Sequence, residues 1–272
     1  MEPHVPGGVY LCQVSETMSC GACCGLYNVL DNSRDHLHAI LTSRTDMLDR
    51  LPRTIDGIDA FSRWAMAHED LNHPFPDFHH CRFIGLVGEN RSRVGCLLHP
   101  LADKNQGQDF RGLSHYGTLA CRTYFCPTHE ALSSPLKHLV KNAAVDWYDY
   151  GLMITEHRLL NSFWQQVMQK MPSVQVLNSI CVQQNLIRKL MQMKINWPFR
   201  NDQNLARIHY FFNDSIYIRP EISYQKLGIS PSRWDETLRE LGSRFQSTED
   251  LHRAETLLDY WFEQSFVTVN GF

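Results

Sequence analysis

The chain has 272 residues, 43% of them apolar, with 20% charged residues and a net charge of −3. That length can bury one large core or two modest ones, and the charge is ordinary for a globular protein. No run approaches the roughly eighteen apolar residues of a membrane helix, so none is expected. Met1 to Gln13 contains Glu2, two glycines and two prolines without a long apolar core, which is not the pattern of a signal peptide. A cytoplasmic chain is expected, in which thiols stay reduced.

Cysteine is the informative residue type. Nine are present, at 12, 20, 23, 24, 81, 96, 121, 126 and 181, and eight of them precede residue 127. Grouped cysteines in a reducing compartment point to metal or redox chemistry, whereas cysteines used as small apolar residues scatter.

In chain order, Leu37, Ile40, Leu41, Met47, Leu48 and Leu51 keep helical spacing behind a cap at Asn32 or Ser33. Ile58, Phe61 and Trp64 predict a second, shorter helix. The stretch from His73 to His80, rich in proline and histidine, reads as loop. Cys81–Val87 and Arg93–Leu98 form a predicted hairpin around the turn residues Gly88 to Ser92. A loop from Lys104 to Gly117 leads on to Cys121 and Cys126.

From Ser134-Pro135, a helix start, the pattern becomes helical. Leu159, Leu160, Phe163, Val167, Met168 and Met171 make one apolar stripe. Leu251, Ala254, Leu257, Leu258, Trp261 and Phe262 make another behind Ser247 and Asp250. Both stripes are read as core.

The chemistry concentrates in Cys20-Gly21-Ala22-Cys23-Cys24-Gly25. Two intervening residues let a pair of thiolates reach one ion, and the glycine permits a tight turn that aims amide N–H groups at sulfur. Cys81 and Cys96 sit on the hairpin, and Cys121-Arg122 and Cys126-Pro127 follow. Cys20, Cys23, Cys24, Cys81, Cys96, Cys121 and Cys126 are the candidate ligands for a zinc ion or an iron–sulfur cluster. Adjacent Cys23 and Cys24 should diverge, which suits a multi-iron cluster or two neighbouring sites better than one zinc. Cys20, one of Cys23 and Cys24, Cys96 and Cys121 are expected to meet. Buried structural thiols, or a dithiol at Cys20 and Cys23, are the competing readings.

These elements resemble the YkgJ-type zinc- or iron-chelating cysteine-cluster proteins, over about residues 12–127. Cys20-Gly21-Ala22-Cys23-Cys24 matches the family's Cys-Gly-x-Cys-Cys. Cys81-Arg82-Phe83-Ile84 is similar to its Cys-Pro-Phe-Leu, Cys96 to His99-Pro100 to its third element, and Cys121-Arg122 to its Cys-Arg. Arg82 stands for proline, His99 for arginine and Thr17 for the family's leading cysteine, leaving Cys12 as the substitute. The resemblance implies metal binding.

Among fourteen histidines, His79, His80 and His99 lie close enough to cysteines to complete a mixed site, and His115 and His129 lie near the last cysteines. Asp109, Arg111 and His115 occupy a loop beside the cysteines, a place catalytic residues take, but a solvated loop needs no such role and no catalytic residue is assigned. There is no H-E-x-x-H, phosphate loop or G-x-S-x-G. Cys181 stands alone and reads as core.

Ile222 to Leu241 resembles a helix-turn-helix, with Ser230-Pro231 opening the second helix and Trp234, Leu238 and Leu241 inward. That helix sets Arg233 and Arg239 against Asp235, Glu236 and Glu240, a poor surface for phosphate, so nucleic-acid binding is not expected. His157 to Asn201 carries six Lys/Arg and no acid, while residues 235–272 are acidic.

Together these features predict an α+β protein: a cysteine-cluster metal-binding domain at residues 1–130 with a small β-hairpin, then a mainly α-helical half at 131–272. The function expected is metal binding in a structural or redox role. The alternatives are a metal-dependent oxidoreductase or maturation enzyme, and a metal-sensing DNA-binding regulator.

Overall fold

Helix α1 (Arg34–Asp49) buries Leu37, Leu41, Thr45 and Leu48 on one face, the spacing that its sequence carries. In the computed structural model, which describes residues 5–69, 73–76, 78, 80–170, 180–200 and 221–267, that face lies on strand β1 (Ile84–Val87). Gly85 permits the approach, since a Cβ there would come within 2.7 Å of the Thr45 hydroxyl and a Leu97 methyl. The Thr45 hydroxyl in turn accepts from the Leu86 N–H at 2.9 Å. Helix α2 (Ile55–His68) starts at Thr54, whose side chain accepts from Gly57 N–H, and buries Ile58, Phe61 and Ala65.

Strand β1 pairs antiparallel with β2 (Arg93–Cys96), with Ile84 opposite Cys96 and Val87 opposite Arg93. The strands are shorter than expected at both outer ends, although Leu97 N–H still bonds Phe83 O at 2.9 Å. The chain is mainly helical beyond this hairpin, so the mainly helical α+β class holds.

The expected loop before Cys121 contains a 3₁₀ turn (Arg111–Leu113) and a short helix, α3 (Gly117–Thr123). Then follow α4 (Thr128–Ala131), α5 (Ser134–Ala143), α6 (Trp147–Ile154), α7 (His157–Lys170), α8 (Ile180–Asn196), α9 (Tyr224–Leu227), α10 (Asp235–Glu240) and α11 (Thr248–Val267). Proline stands in the first turn of α5, but the cap position is Ser133, one residue earlier than expected. Asp146 caps α6 by accepting from the Tyr148 and Asp149 N–H groups. Ser247 accepts from Asp250 N–H at the start of α11, as its sequence predicts.

Three apolar clusters carry the fold. The largest joins Leu11 to buried residues of α5 through α8, α10 and α11. The second joins Leu26, Tyr27 and Leu37 to Ile84, Val94, Trp147 and Leu152, and the third gathers α2 and the hairpin around Phe61, Phe83 and Leu98. Apolar contact therefore crosses residue 130 in both directions. Cys20 touches the first two clusters and Cys24 the second and third.

Two expected stripes are largely core. Leu159, Leu160, Phe163 and Val167 are buried, but Met168 is half exposed, and Met171 lies outside the described residues. In α11, Leu251, Ala254, Leu258 and Phe262 are buried. Cys181 lies on α8 with its side chain outside the described residues.

The Ile222–Leu241 segment is a helical corner. Helix α9 is a single turn ending at Gly228 (φ 69°), and α10 is six residues long and starts at Asp235, not at Ser230-Pro231. Trp234, Leu238 and Leu241 are buried as expected. Arg233 pairs with Asp259 and Arg239 lies near Asp235. No helix among the described residues is long and apolar enough to cross a membrane.

Candidate metal centre

The first cysteines are placed by backbone alone. Gln13 bridges Ser19, and Cys20 N–H donates to Cys12 O at 2.8 Å, so a reversed loop sets Cys12 beside Cys20. A 3₁₀ turn (Ala22–Cys24) follows, closed by Gly25 at φ 75° with its N–H on Ala22 O. Gly21 admits the hairpin here, because a Cβ would lie 2.5 Å from an Ile84 methyl. Cys81 N–H then donates to Cys24 O at 2.7 Å, which seats the mouth of the hairpin on the turn. Cys96 ends β2, Cys121 rides on α3, and Cys126 precedes α4 with its carbonyl taking the His129 N–H.

All eight cysteines from Cys12 to Cys126 are free thiols. Their dominant mutual interactions fall into two sets. Cys12, Cys20, Cys23 and Cys126 act electrostatically on one another; Cys24, Cys81 and Cys96 do so too, with Cys121 acting on Cys81 and Cys96. The link between the sets is the adjacent pair Cys23 and Cys24, whose thiols shift each other's ionisation. Those two cysteines divide the remaining six between them. Cys20 and Cys96, expected to share one site, belong to different sets. Cys12 joins the first.

Backbone amides point at sulfur in a repeated pattern. The Cys20 sulfur accepts from the Ala22 amide, Cys81 from Phe83, Cys96 from Leu98 and Cys126 from Thr128, each two residues downstream. Amides so placed favour the thiolate. Burial opposes them: it pushes Cys96 up to about 12 and raises Cys12, Cys20, Cys81 and Cys126 above the usual thiol range. Cys23 and Cys24 act on each other, which lowers Cys23 and raises Cys24. Among the described residues no three His, Cys, Asp or Glu side chains close on one point as a finished metal site does. The sets are thus neighbouring thiols rather than closed coordination spheres.

Cations and tyrosines surround them. Buried Arg44 donates to Cys81 O and Ile84 O and forks onto Glu69, with Nε–Oε1 at 2.6 Å. Arg111 acts on Cys96 and Cys121 while chelated by Asp109, whose carboxyl it holds down to about 2. Buried Lys137 donates to Gly7 O and His129 O and acts on Cys126. Tyr10 hydrogen-bonds Cys12, Tyr124 acts on Cys126 and Cys23, and Tyr116 acts on Cys23, Cys24, Cys121 and Cys81 across the junction. These tyrosines were not anticipated, although Tyr10-Leu11-Cys12 and Tyr124-Phe125-Cys126 repeat one pattern.

The histidines divide. His80 is occupied by Gly25 O and Arg44, and the His99 ring accepts from Leu101 N–H. His115 contributes its backbone amide to the Cys81 sulfur. The His129 Nδ1 lies 3.5 Å from the Cys126 sulfur. His79 lies outside the described residues. Asp109 and Arg111 pair with each other at 2.7 Å.

Compared with family models, with curated proteins and with solved structures, the chain matches none.

Proposed function

We propose that this protein binds metal through two adjacent sets of four thiolates, Cys12, Cys20, Cys23, Cys126 and Cys24, Cys81, Cys96, Cys121. The observation that carries the reading is the partition itself. Eight thiols distant in sequence fall, by their electrostatic influence on one another, into two groups of four, the number a tetrahedral zinc or one iron–sulfur cubane takes. The donor chemistry fits: the neighbours of these sulfurs are thiols, amide N–H groups, tyrosines and cations, with no carboxylate in either set. The resemblance to YkgJ-type cysteine-cluster proteins belongs to this proposal and points the same way.

The bound metal would supply charge to hold the thiolates and, as an iron–sulfur cluster, an electron store. The chain does the rest. Four amides stabilise sulfur two residues upstream. Arg44 and Arg111 offset negative charge at the second set, and Lys137 at the first. The raised thiols give up their protons on ligation, so metal uptake releases acid and weakens as pH falls. The two roles consistent with this chemistry are structural crosslinking of the three apolar clusters and electron transfer.

The test is the absorbance spectrum of anaerobically purified protein with elemental analysis. Broad visible absorption with iron and sulfide supports clusters, and a colourless protein with stoichiometric zinc supports zinc thiolate. Protein that retains neither and acquires neither on reconstitution overturns the reading.

A further inference from the structure

The two sets of thiols differ in how firmly their members are held. Cys24, Cys81 and Cys96 belong to the turn and hairpin, fixed by the Cys81 N–H to Cys24 O bond and the Ile84–Cys96 pairing, and all three pack on the third apolar cluster. Cys121 stands apart. It is the exposed member of the eight. It rides on α3, which buries none of its residues and packs chiefly on the neighbouring 3₁₀ turn. That helix starts at Gly117 with φ 79°, in open space, and Leu119 on it is 76% exposed. The Cys121 sulfur is 3.3 Å from the Ser114 hydroxyl, a contact within the same strap.

Building on the thiolate reading above, we propose that the second set is a site of three firm thiolates and one displaceable one, whose fourth position, held by Cys121, admits a small exogenous thiol. Metal sites with three protein ligands and an open fourth position bind substrates, whereas sites with four firm ligands are structural. A metal held by three thiolates would favour a soft fourth donor. The guanidinium of Arg111, paired with Asp109, acts electrostatically on Cys96 and Cys121 and suits an anionic one. In the exchange, the incoming thiol passes its proton to Cys121 and binds as thiolate while the Cys121 sulfur leaves. One metal–sulfur bond replaces another, and no electron moves.

The test uses full-length protein reconstituted anaerobically with cobalt(II), comparing wild type, Cys121→Ser, Cys121→Ala and Cys96→Ser. Cobalt per chain and the thiolate-to-cobalt absorption are read before and after titration with β-mercaptoethanol, with circular dichroism as the check on folding. Both Cys121 variants should keep the wild-type cobalt content with weakened absorption that the added thiol restores. Cys96→Ser should lose the cobalt of one set and gain nothing from the thiol. Cobalt loss in both Cys121 variants equal to that in Cys96→Ser, without recovery, overturns this proposal and leaves the thiolate reading standing. Wild-type protein lacking thiolate-to-cobalt absorption overturns both.

Discussion

Cys23 and Cys24 are neighbours in the chain and shift each other's ionisation, yet Cys23 is grouped with Cys12, Cys20 and Cys126, and Cys24 with Cys81 and Cys96. One peptide bond therefore joins two sets of thiols, and the Gly21–Gly25 turn carries the member of each that meets the other set. Cys23→Ser and Cys24→Ser should each remove about half of the bound metal, and the double variant nearly all of it. Elemental analysis of the three variants checks this. Complete loss from either single change would mean one shared site instead of two.

Arg44 is 1% exposed and holds Glu69 with two nitrogens while donating to Cys81 O and Ile84 O. Arg44→Leu leaves a carboxylate and two carbonyls without that donor, which costs about 3–5 kcal/mol when a buried pair is broken. Denaturant unfolding should register that loss. Metal should become easier to remove with chelator at the Cys81 set and keep its normal affinity at the Cys126 set.

Cys96→Ser should bind less metal and melt roughly 10 °C lower, because the metal would tie the hairpin to the Cys24 turn. Cys181→Ser, on α8, should retain wild-type metal content. Calorimetry alongside elemental analysis separates the two variants. Equal metal in wild type and Cys96→Ser would strike Cys96 from the ligands.

Glu240 sets a pH dependence remote from the cysteines. Burial, with repulsion from Glu156 and Glu236, raises its carboxyl from 4.5 to about 7, against attraction from Arg158 and Lys194. Lys194 itself pairs with Glu156 at 2.7 Å. The folded state thus holds a proton that the unfolded chain has released, so this contribution to stability is full below about 4.5 and is lost as pH rises through about 7. The slope approaches about 1.4 kcal/mol per pH unit within that window. Glu240→Gln should flatten the profile between those values in urea unfolding at graded pH, whereas an unchanged slope would assign it to another group.

Local features were legible in the sequence. The α1 stripe from Leu37 to Leu48, the hairpin, the Ser247 cap of α11 and the inward Trp234 all follow from periodicity and turn chemistry. Helix α3 was not, because Gly117 to Thr123 buries nothing and so carries no apolar period. The start of α10 was misplaced because Ser230-Pro231 looks like a cap, while the chain turns again before Asp235. The cysteines could be picked out singly, but their grouping depends on contacts far apart in sequence, such as Cys24 O with Cys81 N–H. Cys12 was left open for the same reason: the Gln13–Ser19 bridge, not spacing, brings it to Cys20. Arg44, Lys137 and the tyrosines act through tertiary contact and leave only the repeated Tyr-x-Cys as a trace.

The most direct measurement is X-ray absorption at the edge of whichever metal the anaerobically purified protein holds. The two thiolate sets require a first shell of sulfur only, with metal–sulfur distances near ~2.3 Å, in wild type. That shell should be unchanged in Cys181→Ser, and the metal content should fall in Cys20→Ser and in Cys96→Ser alike. A shell dominated by nitrogen or oxygen, or a metal content indifferent to both of those substitutions, would contradict the assignment of these eight cysteines as ligands.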